Sequence, residues 1–475
     1  MRIGQTTAVH FSSKFLGSIL GFVATVYFAR ELGDVVLGQY SLVMALVAWL
    51  GIMKSIGVSG AMVKRISEDE EPDKYLMAGT ILMAVLVGLS ILAIFLFRDY
   101  VNQYVGIEAA TFVIIILIAK FLWTISKSSL QGSHLVHVYS ILSAGSTGLQ
   151  SLIQIGLVLV GFGLTGMIYG YTIGLAIASL IGLWYIKPSI ARPERRHFMR
   201  LFHYAKFSWL GGLQSKTYSW VDIAVLGFFV QTGLIGVYSV AWTIAQFLNT
   251  FGSSISASMF PEISKESFQE NSEYVAHLVE DSLTYAGLFM IPGVVGGALI
   301  GERILRIYGQ EFIVGDQVLI VLLLAMLFYS YMKQILNGLN AIDRPDLAFR
   351  ANLIFIISNI IFNIALIYLF GWIGAAIATA LSSIAGLSVA LLYMRSELDF
   401  DIPYSTISHQ SVAAILMGII VYGSMWLKEA FDAISHNFLE VLLLVGIGVI
   451  SYFAMLSLFS HEFRDTVRDN LTTLL

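Results

Sequence analysis

Apolar runs long enough to cross a bilayer follow one another along this chain, and polar residues are confined to the short breaks between them. About 20 apolar residues suffice for a membrane-spanning helix. On that measure the pattern predicts helices at 8–29, 38–60, 77–97, 109–128, 139–160, 164–186, 207–230, 236–258, 282–300, 317–338, 349–370, 372–394, 408–427 and 437–459. Two of the breaks, Gly161-Phe162-Gly163 and Gly371-Trp372, are so short that each flanking pair also reads as one long helix. Counts of twelve and thirteen spans therefore stand beside fourteen. The expected fold class is all-α, a polytopic membrane protein. The apolar stretch after Arg2 continues to about Tyr27 without a small-residue cleavage site, so it reads as a retained first span.

Composition agrees with this reading. Hydrophobic residues make up 57% of the 475 and charged residues only 12%, against about half and about a quarter in a soluble domain. Fourteen spans of this length use about 280 residues. The loops then average about a dozen residues, too short for an appended ATPase or a folded ectodomain. The net charge of −4 offers no strong overall field for nucleic acid. With no cysteine, the chain has no disulfide, thiolate metal site or cysteine nucleophile.

Charge sets the expected orientation, because cytoplasmic loops of membrane proteins are enriched in Lys and Arg. With the N-terminus inside, 17 of the 27 basic residues fall in cytoplasmic segments, among them Lys64, Arg65, Lys74, Lys127, Arg344 and Arg395. Five fall outside: Arg30, Arg98, Arg303, Arg306 and Lys428. The asymmetry predicts both termini in the cytoplasm, an even number of helices and a cell-membrane location. The densest basic cluster, 187–206, reads as a linker between two halves. The domain expectation is an N-terminal bundle over 1–186, that basic linker, a C-terminal bundle over 207–394, and two further helices with a tail over 395–475.

An internal repeat supports the two halves. Gly38-Gln39-Tyr40-Ser41 opens the second predicted helix and Gly236-Val237-Tyr238-Ser239 opens the eighth, 198 residues later. Both helices end in similar tails, and Gly166 and Gly374 open matching small-residue runs in helices six and twelve. A shift of six helices preserves topology, so the halves are expected to be related by a pseudo-two-fold axis along the membrane normal. Six of the seven prolines sit in loops or at their edges, and only Pro292 lies inside a span, followed by Gly293, Gly296 and Gly297. It reads either as a hinge or as a static kink.

The charges predicted inside the membrane are Lys14, Lys54, Lys120, Lys216 and Lys333, with Asp222 as the one clear carboxylate. At about 3 kcal/mol for each lysine, five unpaired ones would cost on the order of 15 kcal/mol. Two readings meet that cost: the side chains snorkel to the headgroups, or they face a water-filled cationic cavity. Snorkelling suits Lys14 and Lys333 and suits the mid-depth Lys120 poorly. The cavity suits all five and would select an anion such as a lipid phosphate or pyrophosphate, with Lys120, Lys54 and Lys216 as the preferred lining. Asp222 reads either as a site for a coupling ion or as the partner of a lysine.

Several motif matches are rejected. Gly161-Phe162-Gly163-Leu164-Thr165-Gly166 matches a dinucleotide fingerprint but follows no strand. Asp399-Phe400-Asp401 lies in a short acidic loop and reads as solvated charge. His134 and His137, and likewise His197 and His203, lack nearby carboxylates in metal-site spacing. No metal or other cofactor is expected.

Five stretches of the chain together resemble one family. They are Phe28-Ala29-Arg30 with Leu32-Gly33 and Leu37-Gly38-Gln39-Tyr40-Ser41; Val221-Asp222 with Leu226-Gly227, Gly236-Val237-Tyr238-Ser239-Val240-Ala241 and Phe260-Pro261-Glu262-Ile263-Ser264; Ile307-Tyr308-Gly309-Gln310-Glu311-Phe312; Leu336-Asn337-Gly338-Leu339-Asn340-Ala341; and Gly371-Trp372-Ile373-Gly374-Ala375-Ala376. Over nearly the whole chain this spacing resembles the polysaccharide transporter family, the O-antigen flippase type within the multidrug/oligosaccharidyl-lipid/polysaccharide exporter superfamily. The resemblance implies two six-helix bundles around a central cavity, here with two extra helices. It implies a flippase that moves a polyprenyl- or dolichyl-(pyro)phosphate-linked oligosaccharide to the outer face by alternating access. A narrower similarity is to archaeal flippases of dolichol-phosphate-linked glycans used in surface-layer N-glycosylation.

The implied partners are the lipid-linked oligosaccharide, membrane lipids, and the glycosyltransferases and oligosaccharyltransferase of the same pathway, with no nucleic acid. A drug or cation exporter of the same superfamily is the main alternative, though it would favour intramembrane carboxylates over lysines. A membrane glycosyltransferase or polymerase would need a carboxylate constellation or a long outer loop, and the stretch at about 301–316 is too short for one. The expectation is a transporter and not an enzyme.

Overall fold

Helices account for nearly all of a computed structural model of the chain, which describes residues 3–55, 57–68, 71–268, 271–431, 436–460 and 463–464. Side chains are described for these residues except 3–19, 52–55, 206–217, 251–258, 268 and 428–431. In order, the helices are α1 (Ile3–Ser55), α2 (Val58–Ser67), α3 (Pro72–Leu96), α4 (Arg98–Val105), α5 (Ala109–Gly132), α6 (Val136–Leu159), α7 (Gly163–Ile186), α8 (Arg195–Phe229), α9 (Thr232–Phe268) and α10 (Ser272–Arg306). A 3-10 turn at Gln310–Gly315 leads into α11 (Asp316–Ala341), α12 (Pro345–Phe370), α13 (Trp372–Glu397), α14 (Tyr404–Phe431) and α15 (Asn437–Phe459). Among the described residues, eleven helices are long and apolar enough to cross a membrane.

Each predicted span falls on a helix, with four refinements. Helices α8, α9 and α10 each run ten or more residues beyond the predicted span, so the predicted linker is helical from Arg195 on and Pro261 lies inside α9 rather than in a loop. The first two predicted spans share α1, which breaks at Gly33 (φ 78°, ψ 178°), a conformation glycine adopts without strain. The second span ends early at Ser55, and a separate amphipathic helix, α2, takes up the Lys64-Arg65 tail. The short α4 also lies outside the predicted set. The two very short breaks are true turns, with positive φ at Gly161 and Gly163 (93° and 53°) and at Gly371 (63°).

The chain divides into two compact units, Met1–Gly236 and Val237–Leu475. By its packing on α1, α2 and α3, α8 goes with the first unit, whereas a six-plus-six division assigns it to the second. Within the first unit, α7 packs on α5 and α6; within the second, α13 packs on α11 and α12. The two arrangements use the same device. On α7 the buried positions Gly166, Gly170, Gly174, Ala178 and Gly182 recur every fourth residue. On α13 the buried Gly374, Ala378, Ser382, Gly386 and Ala390 do the same. In lipid there is no hydrophobic drive between helices, so close backbone approach over small residues supplies the contact energy. A Cβ on Gly170 would lie 2.5 Å from the Gln154 nitrogen, and one on Gly174 would lie 2.8 Å from the Gln150 Cα. A Cβ on Gly374 would overlap the Leu366 carbonyl oxygen.

The turn before each hairpin also repeats. His134 and Asp343 are both left-handed at φ 59°. The following amides, Leu135 and Arg344, donate back to the carbonyls of Leu130 (2.9 Å) and Leu339 (2.8 Å). This is the bonding that closes a helix C-terminus in a Schellman turn.

The last two helices, α14 and α15, pack on α10 through Ile291, Ala413, Ala414, Met417, Leu444 and Tyr452. Large apolar side chains such as Phe95, Leu159, Tyr368, Trp426 and Ile450 remain exposed on the outer helix faces. A surface of this kind suits lipid and would aggregate in water.

Candidate functional site

The first unit brings polar groups together inside its apolar packing, on α1, α5, α6 and α7. Gln154 on α6 is buried. Its Nε2 donates to the Met167 carbonyl at 2.7 Å and to the Tyr40 hydroxyl at 3.3 Å. The absence of a side chain at Gly170 lets α6 come close enough for this. Tyr171 lies one residue further along α7, near enough to Tyr40 to interact with it electrostatically.

Lys120 on α5 holds its ammonium 5.6 Å from the centroid of the Tyr171 ring. A ring face attracts a cation by its quadrupole, so Lys120 meets an aromatic here and not only lipid. Two turns further along α5, Lys127 sits 5.6 Å from the Tyr139 ring centroid, and Trp123 lies 6.2 Å from the same ring. A seven-residue separation spans about 10.5 Å of helix on nearly one face. The result is a cationic and aromatic ladder on α5, made by Lys120 with Tyr171 and Lys127 with Trp123 and Tyr139. The charge count placed Lys127 at the cytoplasmic end of the predicted span 109–128, and it lies on α5. The i, i+7 spacing of the two lysines was the signal that could have joined them.

The other predicted site residues fall as follows. Lys14 and Lys54 lie on α1 and Lys216 on α8, and their side chains are outside the described residues. Lys333 is half-buried on α11 in the second unit. Asp222 is buried on α8. Pro292 lies within α10, which continues through it. Gly293 beside it is in close contact with Leu248.

A second buried polar group, on α12 and α13, was not anticipated. Asn359 Nδ2 donates to the hydroxyls of Thr379 (3.4 Å) and Ser382 (3.1 Å). Asn363 Nδ2 donates to the Asn359 carbonyl at 2.9 Å. Polar side chains deep in an apolar hairpin are costly unless bonded; here Asn359 bonds α12 to α13, and Asn363 bonds back within α12. Two asparagines four apart in the apolar middle of the span were the readable sign.

At one end of the first unit an ion network ties the α2–α3 turn to the start of α8. Glu71 accepts from Lys74 at 2.6 Å, from Arg196 at 2.7 Å and from His197 Nε2 at 2.9 Å. The Glu194 amide donates to His197 Nδ1 at 3.0 Å. That leaves the ring proton on Nε2, facing Glu71. Glu194 also accepts from Lys74 at 3.0 Å and from Arg196 at 2.9 Å. The hydrogen bond from Lys74, then that from His197, with Arg196 adding its charge, hold the Glu71 carboxyl down at about 2. Glu194 is lowered as well, first by Lys74 and then by Arg196. Among the described residues no group of three or more His, Asp and Glu gathers as a metal site would require.

Comparison with known proteins now decides the family. The model of a family described as polysaccharide biosynthesis protein matches residues 3–267, more than half of the chain. The chain belongs to this family. Its relatives include the probable flippase AglR of Haloferax volcanii, 32% identical over 99% of both chains. The probable low-salt glycan biosynthesis flippase Agl15 of the same organism is 28% identical over 100% of this chain and 99% of that one. Among solved structures, the lipid II flippase MurJ in an inward closed conformation matches with a TM-score of 0.82, covering 97% of this chain and 100% of that one at 21% identity. A multidrug resistance MATE transporter of the MOP superfamily, facing inward, matches at 0.66 over 80% of this chain and 95% of that one, at 15% identity. This chain thus shares a fold with both that flippase and that transporter. The expected resemblance to the flippases of this superfamily holds, including the narrower one to archaeal members.

Proposed function

We propose that this chain is a flippase that carries a polyprenyl- or dolichyl-(pyro)phosphate-linked oligosaccharide from the cytoplasmic to the outer face of the cell membrane. The observation that carries the proposal is the end-to-end match to AglR and Agl15, both named as flippases and the latter for glycan biosynthesis. The α5 ladder supplies a chemistry that suits the cargo. Lys120 would meet the lipid phosphate, and Tyr171, Trp123 and Tyr139 would offer ring faces to the sugars. Lys54, Lys216, Lys14 and Lys333 are the other candidate cations for an anionic cargo in this reading. Asp222 is the candidate for a coupling ion and Pro292 for a hinge.

On the same reading the chain makes fourteen spans, as two six-helix repeats plus α14 and α15, with both termini in the cytoplasm. It works between the glycosyltransferases that build the glycan and the oligosaccharyltransferase that uses it, and it moves the glycan without making it. The test is mass spectrometry of lipid-linked glycans in cells lacking the protein, beside a readout of surface glycan. Accumulation of the complete lipid-linked glycan with loss of its surface product is the expected result. Accumulation of a truncated glycan would mean an enzyme of assembly. No change in either pool, in cells with no second flippase, would favour export of drugs or small cations.

A further inference from the structure

We propose that the surface formed by residues 184–203 docks onto the anionic headgroups of the surrounding bilayer. The first turns of α8 have two unlike faces. Leu201 and Ala205 are buried, with Phe198 and Tyr204 packed beside them, against Val58, Ala61, Met62 and Ile66 of α2 and Tyr75 and Leu76 of α3. On the other side Arg195, Met199 and Phe202 are exposed at helical spacing i, i+4, i+7. The connection before α8 continues this surface. Ile190 is 93% exposed, and Trp184 and Tyr185, at the end of α7, are exposed too. Lys187, Arg192 and Arg195 lie exposed among these apolar groups and form no ion pair among the described residues.

Two other locations each carry a cost. In bulk water Ile190, Met199 and Phe202 would stay hydrated without compensation. In hydrocarbon Lys187, Arg192 and Arg195 would be stranded. The headgroup layer satisfies both sets, and tryptophan and tyrosine concentrate there. Helix length agrees. The 35 residues of α8 extend about 52 Å, well beyond a hydrocarbon core of about 30 Å. Its first turns therefore leave the core, at the end of the unit that the charge count assigns to the cytoplasm. Asp73 accepts from the Ser189 amide at 3.4 Å and Glu194 pairs with Lys74 and Arg196, so cations outside these pairs, set among apolar side chains, are complementary to anionic lipid. The network at Glu71 keeps Arg196 engaged within the protein and leaves Lys187, Arg192 and Arg195 for the lipid.

The natural chain has no cysteine, so Ile190→Cys gives a single labelling position. The full chain, labelled there with bimane, is reconstituted in phosphatidylcholine vesicles containing either doxyl-phosphatidylglycerol or doxyl-phosphatidylcholine. The expected result is at least about two-fold stronger quenching by the anionic lipid. That preference should fall towards one at high salt, and in the variant Lys187→Gln, Arg192→Gln, Arg195→Gln. Equal quenching by both lipids at low salt would overturn the proposal. So would quenching only by aqueous iodide, which would place the surface in water or against a soluble partner. Should the triple variant fail to fold, the salt response of the labelled parent chain decides alone.

Discussion

Gly38 and Gly236 meet at backbone contact. A Cβ on Gly38 would overlap the Thr232 carbonyl oxygen, and a Cβ on Gly236 would overlap the Asp34 carbonyl oxygen and come within 3.0 Å of the Gly38 nitrogen. Asp34 precedes Gly38 as Thr232 precedes Gly236, so the two copies of the repeated motif make the same contact in exchange. All four residues lie in the first unit. Gly38→Ala or Gly236→Ala should destabilise by at least about 1–3 kcal/mol, because backbone and not a flexible side chain must yield. Gly156→Ala on α6, with nothing within 4 Å of the new methyl, should be neutral or stabilising by up to about 1 kcal/mol. Thermal melting followed by size-exclusion in detergent compares the three.

Lys120→Ala should lower surface glycan at least about tenfold if the ammonium holds a lipid phosphate, since a lost charged hydrogen bond is worth about 1.5–3 kcal/mol. Lys120→Arg should retain part of the activity. Both require unchanged levels of folded protein, checked on the same membranes. Normal export by a stable Lys120→Ala chain would remove Lys120 from the proposed site.

The Glu71 network should be sensitive to acid. The Glu71 carboxyl is lowered from its usual 4.5 to about 2, chiefly by the hydrogen bond from Lys74 and then by that from His197, with Arg196 also facing it. A depressed carboxylate stabilises the folded state fully above its unfolded value and loses that contribution as pH falls through the folded one. Docking of the α2–α3 turn on α8 should therefore weaken between about pH 4.5 and about pH 2. Amide exchange over 71–76 and 194–204 reports it, and Glu71→Gln should be looser already at neutral pH and flatter below it.

Arg303 on α10 donates to Glu440 on α15 at 2.9 Å, and Asn437 donates to the Arg303 carbonyl at 2.9 Å. Glu440 is buried. Glu440→Ala would leave the guanidinium without this partner in a partly buried position, at a cost of about 1–3 kcal/mol. The double variant Arg303→Met, Glu440→Ala should recover part of the loss, as coupled neighbours do. Thermal melting of the parent chain, the single variants Arg303→Met and Glu440→Ala, and the double variant measures the coupling.

The helices were legible because each span must satisfy its own backbone in lipid, which forces long uninterrupted apolar runs. The breaks at 161–163 and at 371 were legible because the glycines needed for positive φ stand there. The break at Gly57 and the short α2 were not, since α2 is an amphipathic element whose apolar face is defined only by Leu201, Ala205 and Tyr75 packing on it. Lys120 was legible as a charge in the middle of an apolar run, now α5. Its aromatic neighbour was not, because Tyr171 lies some fifty residues away on another helix.

By itself the sequence determined the solvent and the repeat. Hydropathy marks the lipid-facing lengths, and the motif at Gly38 and Gly236 marks two copies of one pattern. Both are local properties, written in runs and spacings. Tertiary structure alone decided which side chains share a site. It brought Lys120 to Tyr171, Gln154 to Tyr40, and Glu71 to His197. Those pairings depend on how closely helices approach and how they are rotated. Small residues every fourth position on α7 and α13 permit that approach, but the partner of each helix is fixed only when the whole unit packs.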